Sequence, residues 1–586
     1  LIYRDGFQYA YASFYAITIP FTGVMFLKRQ WMLSKRFGYV TPGEMLSDYF
    51  QGDMIRILVV LVALLFSIPY LGVQLGASGA LFNVLTDDMV TRNWGMWILS
   101  LVVLIYVASG GLRAVAYVDT LQCILLAFGI VAIGCIAYGQ LGGWNAFNDA
   151  MAVLGKTDLG KWGATADGHN AYLAIPGIIQ FTAGLGVETP VGGLWTGIMV
   201  LTYMFALMGI QSAPAFSMWS FANNDPKPFA PQQVWASSFG IGLILFFFTA
   251  AQGMGAHFLG ATPAVGDAAG IANVLPDLTA NKQGGLVPHY INLVGEAAPW
   301  FLGLLAVCAL AAMQSTGAAY MSTAGGMLTR DIYKRYLNPT ANHNTQKLFG
   351  RLGVAFIVIA ALLVATYSQD ALVLLGGLAV AFGFQMWPSL AAICWIPWII
   401  RQGASWGLLA GLLAVIFTET LGRSIASAFG IDLPWGRWPW TIHSAGWGII
   451  FNLTVCIVVS ARTQNDAERS HRMKYHDFLR EHASLSPQKK GLVPVAWIVT
   501  LAWLFFGIGP GAVIGNTIFG APNEGPAGWT FGIPSIWAWQ IIFWILGVAM
   551  MWFLAYKMEM SAVPSKNIES LTDDIGDSVS EPAQQT

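Results

Sequence analysis

The chain has 586 residues, of which 10% are charged and 56% hydrophobic, and its mean hydropathy is +0.59. A water-soluble domain carries roughly a quarter charged residues, so this composition excludes a soluble globular protein and makes lipid the solvent. A formal charge of -1 excludes the large basic field that nucleic-acid binding requires.

Crossing the hydrocarbon takes roughly 20 apolar residues, and segments of that size recur along the whole chain. They are predicted near 7–27, 54–83, 93–110, 119–140, 191–212, 233–257, 298–325, 353–367, 371–400, 405–422, 446–461, 493–515 and 535–556. The first follows Leu1 without the charged, apolar and small-residue regions of a signal peptide, so preceding sequence is expected. After it comes Thr41-Pro42-Gly43-Glu44-Met45-Leu46, with Pro in the first turn and Glu three residues after Thr. That spacing is a capping box and marks a helix start.

Next, the Gly110-Gly111 pair breaks one span, a short loop carries Arg113, and the following helix opens with Asp119 near its N-terminus. There the helix dipole favours a carboxylate, so a simple cap and a functional charge are both open readings. The helix starting at Gly193 runs to Gln211-Ser212-Ala213-Pro214. In the helix near 298–325, Ala312, Ser315 and Thr316 stand at i, i+3 and i+4, which turns two hydroxyls and one carbonyl to one face. Neutral hard oxygens of this kind can replace part of a monovalent cation's hydration shell and still release the ion. Spacing alone favours ordinary close packing of small residues. Gln385, in Gly383-Phe384-Gln385-Met386-Trp387-Pro388, is a second buried amide candidate beside Gln211, and backbone satisfaction accounts for either one equally well.

Beyond residue 400 come further spans and a charged helix near 465–485 with His471, His476 and His482. Spacings of five and six do not place these three on one turn, so the helix reads as a solvated face rather than a metal site. The five cysteines (Cys123, Cys135, Cys308, Cys394 and Cys456) lie in apolar stretches without paired spacing and read as small core residues. Most tryptophans fall at span ends and read as interfacial anchors. Residues 564–586 are polar and aperiodic, and are expected to be disordered.

Lysine and arginine are retained in cytoplasmic loops. One alternating assignment puts Lys28 through Arg56, Arg113, Lys227, the clusters 330–351 and 462–490, Arg401, Lys557 and Lys566 on one side. It leaves only Arg4, Arg92, Lys156, Lys161, Lys282, Arg423 and Arg437 on the other. The first side is predicted to be cytoplasmic and to hold the C-terminus, while the loops 141–190 and 258–297 face outward across a cell inner membrane.

The string Gly110 to Gln122, the Thr41 to Leu46 box, and the stretch from Ala312 through Asp331-Ile332-Tyr333-Lys334 together resemble three signatures of the sodium/solute symporter family, which includes proline permease and the sodium/glucose cotransporters. The resemblance covers roughly residues 5 to 460. It implies an all-α polytopic membrane protein with a LeuT-like bundle of five-plus-five helices in inverted repeat, extra C-terminal helices, and sites beside broken helices at the midplane. Residues 1–140 would be a partial first repeat, whose first broken helix and its sodium ligands precede Leu1. Residues 141–190 would be an outer loop, 191–400 the second repeat, 401–563 additional helices, and 564–586 the tail. If the chain were complete, half of the ion ligands would be lacking and coupling doubtful.

On this resemblance Ala312, Ser315 and Thr316 match the sodium-site positions, and the ion reading overtakes simple packing. Asp119 matches an acidic residue of the ion pathway, raising cation occupancy along the release route. Gln211 and Gln385 become candidate solute contacts. The implied activity is sodium-driven uptake of a small organic solute, with sodium as coupling ion and no other cofactor. The apolar, Met-rich surroundings favour a monocarboxylate or an amino acid over a sugar. A transporter-like membrane sensor and a sodium-independent permease are the alternatives. An enzyme is not expected, since no phosphate-binding glycine loop, metal pair or nucleophile constellation is present.

Overall fold

A computed structural model describes residues 1–157, 164–165, 167–188, 190–279, 283–295, 297–367 and 372–571. Eleven helices in it are long and apolar enough to cross a membrane, or up to 13 if each of two bent pairs is one span. Lys161, Lys282 and the tail beyond 571 lie outside the described residues.

Helix α1 (Phe7–Phe37) is followed by the short α2 (Pro42–Phe50) and by α3 (Asp53–Leu85). The predicted capping box is formed: Thr41 Oγ1 accepts from Glu44 N at 3.1 Å, and Glu44 Oε2 accepts from Thr41 N at 3.3 Å. Helices α4 (Arg92–Gly111) and α5 (Arg113–Leu141) meet at Gly111, whose φ of 60° and ψ of -163° lie outside the helical region. The glycine pair therefore breaks the span as expected, but Arg113 opens the next helix instead of sitting in a loop. Asp119 consequently lies in the second turn of α5, beyond reach of a cap.

The second half begins with a bent pair, α6 (Gly197–Ser212) and α7 (Pro214–Ala222), which diverge by 41°. Ala213 between them is extended because the residue before a proline avoids the helical region. Then follow α8 (Phe229–Ala261), α9 (Pro299–Leu337), α10 (His343–Tyr367) and α11 (Leu375–Cys394). The last spans are the bent pair α12 (Arg401–Phe417) and α13 (Thr420–Ala428), at 84°, then α14 (Ser444–Arg462), the charged α15 (Asp466–Ala483), α16 (Pro487–Ile508) and α17 (Ser535–Lys557).

These helices pack as two groups, one of α1, α6 and α7, the other of α3, α4, α5, α9 and α10; α8 joins the first but also packs along α5, and α11 touches both α3 and α6. Where α6 crosses α11 the backbones meet. A β-carbon at Gly209 would stand 2.0 Å from Val380 O, so the crossing tolerates no side chain there.

Most of the predicted majority of basic residues gathers at one end, here called the basic end. The N-terminus of α2 is stapled there to the end of α9. Asp331, fully buried, takes Arg56 Nε at 2.7 Å and Thr41 Oγ1 at 3.0 Å, while Arg330 binds Glu44 at 2.9 Å. A β-carbon at Gly43 would come 2.8 Å from Asp331 Oδ1, so glycine is what lets α2 approach this carboxylate. At the opposite end, Glu419 beyond the α12 bend accepts from Trp438 Nε1 at 2.8 Å and Ser444 Oγ at 2.9 Å, and pairs with Arg437 at 2.7 Å.

Three expectations are corrected here. Cys123 and Cys135 are exposed on the outer face of α5, so only Cys308, Cys394 and Cys456 are core residues. Residues 564–571 are tied down, because Lys566 binds Glu481 at 2.9 Å and Leu571 N donates to Arg36 O at 2.9 Å. Helix α15 is not a solvated rod, because Arg472, Tyr475, His476 and Leu479 form a buried face against the basic end.

Removing one partner of the buried pair should be costly. Asp331→Asn leaves the buried Arg56 with only the Glu44 carboxylate, 3.7 Å away, as counter-charge and should lower stability by about 3 kcal/mol, the low end for a broken buried pair. Arg56→Met/Asp331→Leu should recover most of that loss. Thermal unfolding in detergent reads both.

Candidate functional site

The face of α9 that carries the predicted cation ligands is a stripe at helical spacing, Ala312, Thr316, Ala319, Thr323, Gly326 and Arg330, with Ser315 beside it. Ser315 Oγ and Thr316 Oγ1 each lie 3.4 Å from Ala312 O. The structure thus brings the three predicted oxygens together on one turn. Such separations are long for hydroxyl donors, whose usual distance is about 2.7–2.8 Å. Two turns on, Ser322 and Thr323 bond Ala319 O at 2.9 and 3.0 Å. Donating a proton leaves a hydroxyl's lone pairs available to a cation at either turn, but Thr323 is buried whereas the side chains at 315 and 316 are only partly buried.

Asp119 reaches this turn through neighbours rather than directly. One turn along α5, Gln122 Nε2 donates to Gln314 Oε1 at 3.2 Å, and Tyr106 OH donates to Gln314 O at 3.3 Å. Gln314 immediately precedes Ser315. Asp119 Oδ1 is buried without a hydrogen-bond partner, so a carboxylate oxygen is held unspent on the α5 surface that packs against α9.

The two glutamines do not join the site. Gln211 is buried at the α6–α7 break, as its position predicts, but its Oε1 lies over Gly23 of α1 next to Gln233 Nε2 of α8. It faces the interior of its own helix group. Gln385 turns toward the C-terminal helices: its Nε2 donates to Ala381 O at 3.2 Å and Ala445 O at 3.5 Å, and Asn452 Nδ2 donates to its Oε1 at 3.3 Å. Its amide is consumed in fixing α11 to α14.

What faces the ion turn instead is an aromatic cluster. Tyr320, one turn beyond Thr316, packs against Phe66 and Tyr70 of α3, with ring centroids at 4.8 and 5.3 Å, and against Trp219 of α7 at 5.8 Å. Phe216 of α7 adds a further ring 4.5 Å from Trp219. Three helices from both packing groups so converge just past the α6–α7 break. A second aromatic set, Tyr9, Trp195, Tyr203 and His443, lies toward the opposite end, with the Tyr9 and Tyr203 hydroxyls 3.3 Å apart. Sequence reasoning missed both clusters. The available signal was the i+4 spacing of Tyr320 from Thr316 and a tryptophan, Trp219, lying inside a broken helix rather than at a span end.

Comparison with known proteins places this geometry. A family model described as the sodium:solute symporter family matches residues 1–411. A monocarboxylate transport permease protein of Rhizobium johnstonii is 24% identical over 79% of this chain and 83% of its own length. The uncharacterized symporter YhjB of Bacillus subtilis is 20% identical over 74% of this chain and 78% of its own. Among solved structures, the substrate-bound outward-open state of a Na+-coupled sialic acid symporter shares the fold with a TM-score of 0.55, at 17% identity, over 79% of this chain and 85% of that one. Eleven to thirteen apolar spans, a broken helix opening the second half and this match over more than two thirds of the sequence make the chain a member of the sodium:solute symporter family, a transporter and not an enzyme.

Proposed function

We propose that this protein couples entry of a small monocarboxylate to sodium, with the ion held by Ala312 O, Ser315 Oγ and Thr316 Oγ1. The observation that carries the reading is the turn of α9 on which the Ser315 and Thr316 hydroxyls each stand 3.4 Å from the Ala312 carbonyl, so that three neutral oxygens meet on one turn. A desolvated sodium ion takes neutral oxygens readily and leaves them readily, as a cycle of binding and release demands. Asp119 contributes at a distance, its charge raising cation occupancy along the α5–α9 surface.

The solute sits at the aromatic cluster. Phe66, Tyr70, Tyr320 and Trp219 offer ring faces and phenol donors, with no carboxylate or ammonium among them. That chemistry suits a small anion with an apolar body, and it offers little of the amide and carboxylate density that polyhydroxylated sugars use. The likeness to a monocarboxylate permease points the same way.

Alternating access then follows from the two packing groups. The ion turn belongs to α9 and the solute contacts are divided between α3, α9 and α7, so ligands bridge the groups and favour whichever arrangement closes around both. We assign the basic end to the cytoplasm and the membrane to a cell inner membrane. Residues 1–140 and 191–400 supply the two repeat halves, and 401–563 the added helices.

Proteoliposomes test this with labelled monocarboxylates, amino acids and sugars, with and without an inward sodium gradient. Sodium-stimulated monocarboxylate uptake is expected. Equal uptake without sodium would mark a permease instead. Ser315→Ala/Thr316→Ala should raise the half-saturating sodium concentration about a hundredfold or more, since each of the two lost ligands to a charge costs about 1.5–3 kcal/mol. Unchanged sodium activation in an inserted double variant would remove the ion site from α9. Trp219→Ala should weaken half-saturation for the solute by roughly tenfold while sodium activation persists, as expected for loss of a partly buried ring; solute affinity left intact would dismiss the aromatic cluster.

A further inference from the structure

Helix α15 lies outside the 1–411 region that matches the family, yet its buried face is applied to the family core. Tyr475 OH donates to Asp48 Oδ2 of α2 at 2.8 Å, the carboxylate that also receives Tyr39 OH. His471 Nε2 lies 2.9 Å from Asp48 O. His476 Nε2 lies 2.8 Å from the Tyr49 hydroxyl, which itself donates to Ala392 O of α11 at 3.0 Å. With that hydroxyl hydrogen committed to Ala392, the imidazole N–H is the donor. Burial holds this imidazole neutral, its pKa pushed down to about 4, with Arg480, Arg29 and Arg472 acting in the same direction. Arg472, itself buried, donates to Pro397 O at 3.1 Å, just past the end of α11.

Helix α2 is therefore held from two sides. Its C-terminal half, Asp48 and Tyr49, is tied through α15 to α11. Its N-terminal turn, Thr41, Gly43 and Glu44, is tied to Asp331, Arg56 and Arg330, where the ion stripe of α9 ends. An ion leaving along that stripe toward the basic end meets α2, and opening there requires α2 to part from α9. A contact that fixes α2 from behind sets how far that equilibrium lies toward closure.

We propose that Tyr475 and His476 are positioning residues of the transport cycle: through Asp48 and Tyr49 they hold α2 closed over the basic end of the ion route, so the added helix tunes release of ion and solute on that side. The assignment rests on the transport reading above, but its first test does not. In purified full-length protein, hydrogen exchange of α2 and of Leu328–Leu337 is compared between the native chain and Tyr475→Phe/His476→Ala. Two lost hydrogen bonds should speed exchange in both segments on the order of tenfold, with α10 and α14 unchanged. Faster exchange confined to α15, or none, overturns the proposal. If the double variant does not insert, Tyr475→Phe keeps the ring, removes one bond, and should give a smaller increase in the same two segments. A purely structural brace would loosen α15 or the whole bundle and would spare this pattern.

A transport arm then separates the two readings. In proteoliposomes the double variant should need several-fold more external sodium for half-maximal uptake, because an inward-biased equilibrium leaves fewer outward-facing sites. Faster exchange in α2 accompanied by an unchanged sodium requirement would overturn the role in the cycle. Absence of sodium-driven uptake in the native chain would instead refute the symport reading, while the exchange result still decides whether α15 governs α2.

Discussion

Asp331 and Arg56 meet at 2.7 Å in a place where neither is open to water. Charges so desolvated persist only in matched pairs with further hydrogen bonds, and Thr41 supplies one of these. Because the partners sit on α9, α3 and the turn that opens α2, this one cluster fixes the register of the second repeat's principal helix against the first. Gly43 is part of the same constraint, since any β-carbon there would drive α2 off the carboxylate. The capping box, often a local matter of starting a helix, becomes a tertiary contact when its threonine also serves Asp331.

With that end pinned, the rest of α9 is free to be chemically specialised. The stripe from Ala312 to Gly326 carries small residues, and the 315/316 hydroxyls converge on Ala312 O. Aromatic side chains from α3, α7 and α9 meet at the adjoining turn, so the proposed ion and solute positions lie within one helical turn of each other. On that proposal coupling needs no long-distance wire, because both ligands would press on the same junction.

The C-terminal additions serve the core in two different ways. Helix α14 consumes the amide of Gln385 and holds α11 in place, a role of packing and polar satisfaction. Helix α15 reaches back to the loop helix α2 through phenol, imidazole and carboxylate contacts, which are directional and easily altered. The chain segment 559–571 crosses the same end, with Lys28 donating to Glu559 O at 2.9 Å and Lys566 bound to Glu481.

Composition and local pattern determined that this chain spans a membrane many times, where α2 begins, and that a break falls at the Gly110-Gly111 pair, because solvent, capping chemistry and backbone sterics act over a few residues. The i, i+3, i+4 spacing likewise determined that three oxygens share one face of α9. Where the two amides point was decided only by tertiary structure: Gln211 and Gln385 look alike along the chain, yet Gln385 is bonded to α14 while Gln211 Oε1 is buried without a hydrogen-bond partner. The same holds for Tyr320 and Trp219, drawn together from distant segments, and for His476, whose polar helix reads as solvated until α2 and α11 bury one side. In an apolar chain, hydrophobic periodicity is too weak to point side chains. Their directions are set by the partner each polar atom must find once water is excluded.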